Sequence, residues 1–415
     1  MKSAKVARFC AFLDSGKNIP IFFGYTIFAV GVDFKGRAIQ MVKSIALIGT
    51  LSSCVLGFRK DLIQGLVSKG VTVYAFALDY DEDSKSKVQK LGAIPVSYSF
   101  SRSGLNPLVD IADTLKLAKL IKSISPDVVL CYFAKPVIFG TLAAKLAGVS
   151  RRIGMLEGLG YVFTEQPSGI RFKTKVIKAV QVLLYKIALP KLERLILLNR
   201  DDQKDLIEKY NISIKEVSIL GGIGLDLSQY KYSPPPVNPV SFIFVGRLLA
   251  EKGIHEFITA AKQVKKKYPD TKFVVLGGID HDNPGALTTG ALDEVINSGL
   301  ITYPGHVDDV VSWLKDSSVF VLPSYREGMP RSTQEAMAIG RPVITSDVPG
   351  CRDTVVNGVN GFITKPWSSS DLSNKMLYFI ENSDQINSMG YESYKMAVSR
   401  YDANLVNEKL YSYID

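Results

Sequence analysis

The stretch 230–240, YKYSPPPVNPV, constrains this chain more than any other, because four of its eleven residues are proline. Pro234, Pro235, Pro236 and Pro239 fix φ and remove backbone donors, so neither a helix nor a central strand can run through them. They read as an extended spacer between two bodies. On both sides of it short apolar runs alternate with longer amphipathic stretches, the pattern of strand and helix units around a parallel sheet. Before the spacer the candidate strands are 44–49, 71–77, 94–96, 127–132, 152–155, 194–198 and 217–220, and the candidate helices are 58–69, 107–124, 137–147 and 172–189. After it, strands are expected at 240–245, 272–276, 301–303, 319–322 and 342–345, with helices opening near Pro330 and filling 369–381 and 403–413. Residues 357–362 read as a tight turn. A length of 415 residues suits two cores better than one.

Composition narrows the class. A hydrophobic fraction of 47% with 22% charged residues is that of a globular chain able to fill two cores. Cys10, Cys54, Cys131 and Cys351 are scattered without pairing or metal spacing, which suits a reducing compartment. With His255, His281 and His306 as the only histidines, no dense metal site is expected. The net charge of +10 is uneven: residues 1–235 hold 33 Lys and Arg against 19 Asp and Glu, or +14, and residues 236–415 hold 17 against 21, or −4. A basic first half suggests an anionic membrane, nucleic acid or anionic substrate, or simply a solvated positive face.

Residues 1–40 precede a run, Met41 to Gly49, that reads as the first strand of a sheet with its own initiator methionine. The apolar runs 9–13 and 19–32 are too short to span a bilayer and make a poor signal peptide. The expectation is an appendage, with Met41 as the functional start.

The chemistry centres on 323–342, PSYREGMPRSTQEAMAIGRP, which follows the apolar run 319–322. An apolar strand broken by Pro323, a turn holding Glu327 and Gly328, and a helix opening near Pro330 make one strand, loop and helix unit. Ligands of open parallel sheets bind beyond the carboxyl ends of the strands, where Glu327 and Glu335, eight positions later, can both face a crevice. Ser332 to Glu335 also fits a capping box, which would account for Glu335 but not for Glu327. A second such unit follows the strand 240–245: Gly246 and Arg247, then Lys252 and Gly253 before another helix, bring backbone donors and two cations toward an anion. A surface salt bridge of these cations with Glu251 is the plainer alternative. The loop 49–57, with Gly49 and Thr50, could approach a phosphate or an acceptor, and reads equally as a turn.

Glu327, Gly328, Met329 and Pro330 followed by Glu335 resemble the E-x7-E motif of the retaining GT-B glycosyltransferases of group 1, family four, in their bacterial surface-polysaccharide branch. The resemblance runs from about residue 43 to the C-terminus and is strongest over 242–361. It implies an α/β GT-B fold: two Rossmann-like parallel-sheet domains facing across a cleft, an acceptor-side domain at 41–229, a donor domain at 241–400 and a last helix, 401–415, crossing back to the first domain. It also implies that Glu327 contacts the donor sugar and Glu335 the ribose. Gly246, Arg247 and Lys252 match the positions that grip the diphosphate, and Gly305, His306 and Val307 lie beside the base. The implied reaction moves a hexose or N-acetylhexosamine from a UDP-sugar to a hydroxyl of a lipid-linked saccharide with retention, in O-antigen or capsule assembly, without metal or other cofactor. The departing phosphate would itself help deprotonate the acceptor. One departure is that Tyr132 to Pro136 lacks the histidine many members carry there, and Lys135 stands in that segment. With Gly49, Thr50, Glu157 and Gly158 it makes the acceptor-side set.

The helix 172–189 threads Lys173, Lys175, Lys178 and Lys186 through apolar residues, as a helix lying on an anionic leaflet would, or as one packed on its own sheet would. Cytoplasmic, peripheral contact with the inner face of the cell membrane is expected. No nucleic-acid recognition motif accompanies the charge. Two rival classes fit the same architecture: a sugar-nucleotide epimerase, with Asp127 and Glu157 as its nearest acid or base candidates, and a non-catalytic sugar-nucleotide-binding protein.

Overall fold

A computed structural model describes residues 19–23, 26–30, 42–100, 107–280, 283 and 285–414. The chain divides into a small N-terminal unit ending at Lys43 and a large one, Ser44–Ile414. In the small unit, strands Ile19–Phe23 and Thr26–Val30 pair antiparallel. Met41 and the run 9–13 lie outside the described residues.

The large unit holds two parallel sheets. The first contains β1 (Ser44–Ile48), β2 (Thr72–Ala77), β3 (Ile94–Ser97), β4 (Val128–Tyr132), β5 (Arg151–Leu156), β6 (Arg194–Leu197) and β7 (Val217–Ile219), in the order β3-β2-β1-β4-β5-β6-β7. The second contains β8 (Ser241–Val245), β9 (Lys272–Leu276), β10 (Thr302–Gly305), β11 (Val319–Leu322), β12 (Val343–Ser346) and β13 (Gly361–Thr364), in the order β10-β9-β8-β11-β12-β13. Both are doubly wound and share one consequence: the strand order reverses between β1 and β4 and between β8 and β11, opening a crevice at each carboxyl edge. The central strands are buried on both faces, which is why they read as unbroken apolar runs and not as alternating ones. Two separate cores result, one including Ile48, Phe76 and Val129, the other Phe242, Phe244 and Phe320. Each fully buried phenylalanine contributes roughly 1.5–3 kcal/mol.

Two local readings are corrected and one is refined. Residues 49–57 are not one loop, because a helix, Ser52–Phe58, starts within them. The Ser52 N–H donates to Asp79 Oδ1 at 2.6 Å, so the helix start is capped from a distant loop that local sequence does not reveal. The proline-rich stretch carries no helix or strand, as read, but it is packed down: the Tyr232 ring lies 5.1 Å from Tyr394, the Ser233 N–H donates to the Ile339 carbonyl at 3.0 Å, and Val240 is buried. Its partner is an 18-residue helix, Asp384–Tyr401, whose weak amphipathic pattern conceals it in the sequence. Residues 357–362 are a turn only at first, since Gly361 begins β13, which pairs with β12. The last helix, Ala403–Ile414, lies against Lys60–Ser68, with the Tyr411 hydroxyl filling the space above Gly65.

Candidate active site

The loops leaving β8 and β11 sit side by side because these strands are neighbours. Gly253 makes the approach possible. It has φ +77° and lies so close to Pro323 that an added Cβ would stand 2.1 Å from the Pro323 carbonyl oxygen. Just before it, Lys252 ends a short helical turn, Ala250–Lys252, and its Nζ donates to Glu327 Oε1 at 2.5 Å. Ser324 Oγ donates to the same oxygen at 2.8 Å, and the Glu327 backbone N–H donates to the Pro349 carbonyl at 3.0 Å. Side-chain exposure is 23% at Lys252 and 11% at Glu327, so the pair is sheltered without being sealed from a ligand.

Glu335 lies on the helix Arg331–Ile339. The capping alternative is not realised: Pro330 is the N-cap and no side chain caps the helix. The Glu335 carboxylate instead accepts from Arg331 Nε at 2.9 Å and from the Tyr230 hydroxyl at 3.0 Å. Burial, with Glu335 alongside, pushes the Tyr230 phenol up to about 12. Arg247 is 59% exposed and donates to Asp280 Oδ2 at 2.7 Å, a pairing with Asp280 where the sequence suggested Glu251. Gly246, Gly277 and Gly305 bring the carboxyl ends of β8, β9 and β10 together: the Gly277 N–H donates to the Gly305 carbonyl at 2.9 Å, and an added Cβ on Gly277 would meet the Gly246 carbonyl oxygen at 2.0 Å. His306 is exposed beside them, and Val307 packs on the second core. Met329 Sδ is 3.7 Å from the Tyr401 hydroxyl, behind the loop.

The opposite wall comes from the first sheet. Gly49 lies under the Tyr132 ring, whose Cζ is 2.1 Å from where a Cβ added to Gly49 would stand, at the crevice between β1 and β4. Thr50 and Lys135 line a small apolar cavity with Tyr98 and Phe100, and Lys135 Nζ lies 3.6 Å from Asp110 Oδ1. Glu157 ion-pairs with Arg59, both nearly buried, and the Arg59 guanidinium stacks 4.4 Å from the centre of the Tyr132 ring. Burial pushes Arg59 down to about 10 and raises the Tyr132 phenol. Gly158, with φ +127°, touches the second sheet's loop: its Cβ would be 3.1 Å from the Gly328 nitrogen. A cavity of about 160 Å³ between Tyr161, Arg171 and Thr174 on this side and Ala250 and Glu251 on the other continues the cleft.

Residues 230–396 match the model of the glycosyl transferases group 1 family, and residues 44–199 match the glycosyl transferase 4-like model. The chain is a group 1 glycosyltransferase of GT-B fold. It is 28% identical over 88% of its length, and 96% of the relative's, to the N,N'-diacetylbacillosaminyl-diphospho-undecaprenol alpha-1,3-N-acetylgalactosaminyltransferase of Campylobacter jejuni. It is 30% identical over 61% of its length, and 66% of the relative's, to the UDP-Gal:alpha-D-GlcNAc-diphosphoundecaprenol alpha-1,3-galactosyltransferase of Escherichia coli. Among solved structures, Anabaena HepE in complex with UDP and glucose matches 90% of this chain and 99% of its own with a TM-score of 0.71 at 17% identity.

Within this glycosyltransferase the structure brings Lys252 and Glu327 into contact, sets Gly246 and Arg247 just past the carboxyl end of β8 and Gly305 at that of β10, and holds Glu335 on the helix that follows the β11 loop. It does not bring Lys135 or the Glu157 carboxylate to that pair, since each has an internal partner in the first domain. Asp127 is farther still: it precedes β4 and its Oδ2 accepts from the Ser44 N–H at 2.8 Å, at the amino ends of the strands, away from the crevice. Sequence reasoning missed Arg59, Asn199, Asp202, Arg326 and Arg331. Only Asn199 carried a signal, an asparagine after an apolar strand where a helix cap is expected. Among the described residues no group of three or more His, Cys, Asp or Glu side chains is arranged to hold a metal ion, and no helix is long and apolar enough to cross a membrane.

Proposed function

We propose that this enzyme moves a hexose or N-acetylhexosamine, with retention of configuration, from a UDP-sugar to a hydroxyl of a lipid-linked saccharide in the assembly of a surface polysaccharide. The observation that carries the reading is the meeting of Lys252 and Glu327 at the mouth of the crevice between β8 and β11. A carboxylate suits sugar hydroxyls, and a cation 2.5 Å from it suits the diphosphate attached to that sugar. Arg247, exposed on the neighbouring loop, adds a second cation. As the bond to the anomeric carbon breaks, charge grows on the departing diphosphate, and Lys252 and Arg247 stabilise it electrostatically, so the reading invokes no metal or further cofactor. Glu335 and Tyr230 offer an acceptor and a hydroxyl for the ribose. The names of the Campylobacter and Escherichia relatives support a lipid-linked acceptor, and the UDP and glucose in HepE support the donor class.

The acceptor's lipid supports a second element of the reading, peripheral contact with an anionic cytoplasmic leaflet. On the helix Phe172–Ala188, Phe172, Val176, Val180, Leu183 and Ile187 form one exposed stripe, with Phe172 82% exposed. Lys173, Lys175 and Lys186 flank it, also exposed. The helix Pro107–Ile124 exposes Leu108, Ile111 and Leu115 beside Lys116, Lys119 and Lys122, and both helices contact the turn Pro136–Gly140, which places them on one face of the first sheet. Apolar residues ringed by cations, with Asp110 and Asp113 buried beneath, complement anionic headgroups.

The test is to incubate the purified protein with a panel of UDP- and GDP-sugars and a polyprenyl-diphosphate saccharide. The expected result is nucleotide release matched one to one by a new alpha-glycosidic bond. Release without a new bond, or binding without turnover, would favour the epimerase or binding-protein readings instead.

A further inference from the structure

Three consecutive residues of the loop after β11 point three ways. The Tyr325 hydroxyl donates to Glu256 Oε1 at 2.8 Å inside the second domain, and Glu327 meets Lys252. Arg326 instead crosses to the first domain, where Nη2 donates to Asp202 Oδ1 at 2.5 Å and Nη1 to Asp205 Oδ2 at 2.7 Å. Its side chain is 8% exposed and Asp202 is fully buried. Burial acts to lower the Arg326 pKa, but the two carboxylates outweigh it and hold the guanidinium above its ordinary range. Asn199, at the carboxyl end of β6, caps the same first-domain segment: Oδ1 accepts from the Asp202 N–H at 2.7 Å. Its Nδ2 donates to the Gly328 carbonyl at 2.6 Å. The residues before and after Glu327 are therefore both held by the opposite domain. A second tie, Arg352 Nη1 to Asp201 Oδ2 at 2.6 Å, lies on the same segment.

We propose that Arg326, through Asp202 and Asp205, is a positioning residue that orients Glu327, so that the donor-sugar pocket is complete only when the two sheets are docked. Nothing in the fold of the second domain requires an arginine at 326. That domain already fixes the loop through Tyr325 and the Glu327 N–H, and a buried guanidinium aimed away from its own domain is costly unless its partners are in place. The pairing thus makes the geometry of one carboxylate depend on the other domain. Misplacement of a reacting group by about 1 Å lowers turnover on the order of 100-fold. Arg247 and Glu335, assigned by the same reading to the nucleotide, pair elsewhere, with Asp280 and Arg331. This inference rests on reading Glu327 as the donor-sugar carboxylate.

The test compares wild type, Arg326→Ala, Arg326→Lys and Asp202→Asn in transfer kinetics, UDP titration and amide exchange. A surface variant, Lys267→Ala, serves as control. Arg326→Ala should lose on the order of 100-fold in kcat while UDP affinity stays within about threefold, and Arg326→Lys should recover part of the loss because an ammonium reaches one carboxylate. Backbone exchange of the peptide spanning residues 324–328 should rise at least about tenfold in Arg326→Ala and Asp202→Asn. Wild-type kcat in Arg326→Ala would overturn the proposal while leaving the transferase reading intact. If wild type transfers nothing, the transferase reading fails, and unchanged exchange at 324–328 would overturn the positioning role separately.

Discussion

The two walls of the cleft handle charge in opposite ways. On the donor side the cations Lys252 and Arg247 pair with residues on adjacent loops and stay partly open, at 23% and 59% exposure, although Glu327 itself is only 11% exposed. On the first-domain side the Arg59 guanidinium is sealed, at 2%, against Glu157, at 10%, and Asp202 is sealed, at 0%, by Arg326 reaching from the other domain. Open pairs can exchange one partner for a ligand at small cost, whereas sealed pairs cannot be broken without leaving a buried charge unpaired. The first arrangement is suited to binding and the second to holding a surface in shape. Substitutions on the donor wall should therefore cost activity, and those on the facing wall should cost stability.

The largest effect tests the sealed side. Glu157→Ala leaves Arg59 buried without its partner and should lower unfolding free energy by about 3–5 kcal/mol, measured by urea denaturation. A loss under 1 kcal/mol would remove the distinction between the walls. Lys252→Ala should leave the unfolding midpoint nearly unchanged yet lower kcat by roughly 100- to 1000-fold, as loss of one charge-stabilising donor does. Replacing Lys173, Lys175 and Lys186 together by alanine removes about 1 kcal/mol of attraction per residue, so partition onto anionic vesicles should fall on the order of 100-fold with transfer to a water-soluble acceptor unaffected. Binding that did not weaken with added salt would argue against a charged contact. The smallest effect is expected at His306, exposed on its loop, where alanine should change kcat/KM by no more than about twofold.

How far each wall could be read in advance follows from the same contrast. The residues proposed to hold the donor stand within short segments, Gly246 to Gly253 and Pro323 to Glu335, where a strand end, a glycine and a helix start mark a candidate site locally. Gly253 is the clearest case, since its left-handed backbone and contact with Pro323 explain why the lysine precedes a glycine. Arg59 and Glu157 are 98 positions apart, and Asp202 and Arg326 are 124 apart. No spacing rule links either pair, because the first meets only when separate strand and helix units of the first sheet come together, and the second only when the two sheets dock. The strands of both sheets were legible as apolar runs, except Gly361–Thr364, whose first residues read as part of a turn. The helix Ser52–Phe58 was not, because Asp79 caps it from another loop, and the helix Asp384–Tyr401 was not, because the linker covers part of what would otherwise be its exposed face.

The central claim, that Lys252 and Glu327 act as one donor-binding unit, is tested most directly by a kinetic double-mutant cycle. kcat/KM for the nucleotide sugar would be measured in wild type, Lys252→Ala, Glu327→Ala and the double variant. Residues sharing one ligand and one contact are strongly non-additive, so the double variant should be within about threefold of the worse single variant. Losses that multiply in full would mean that the two side chains act independently, and the single donor pocket would be contradicted.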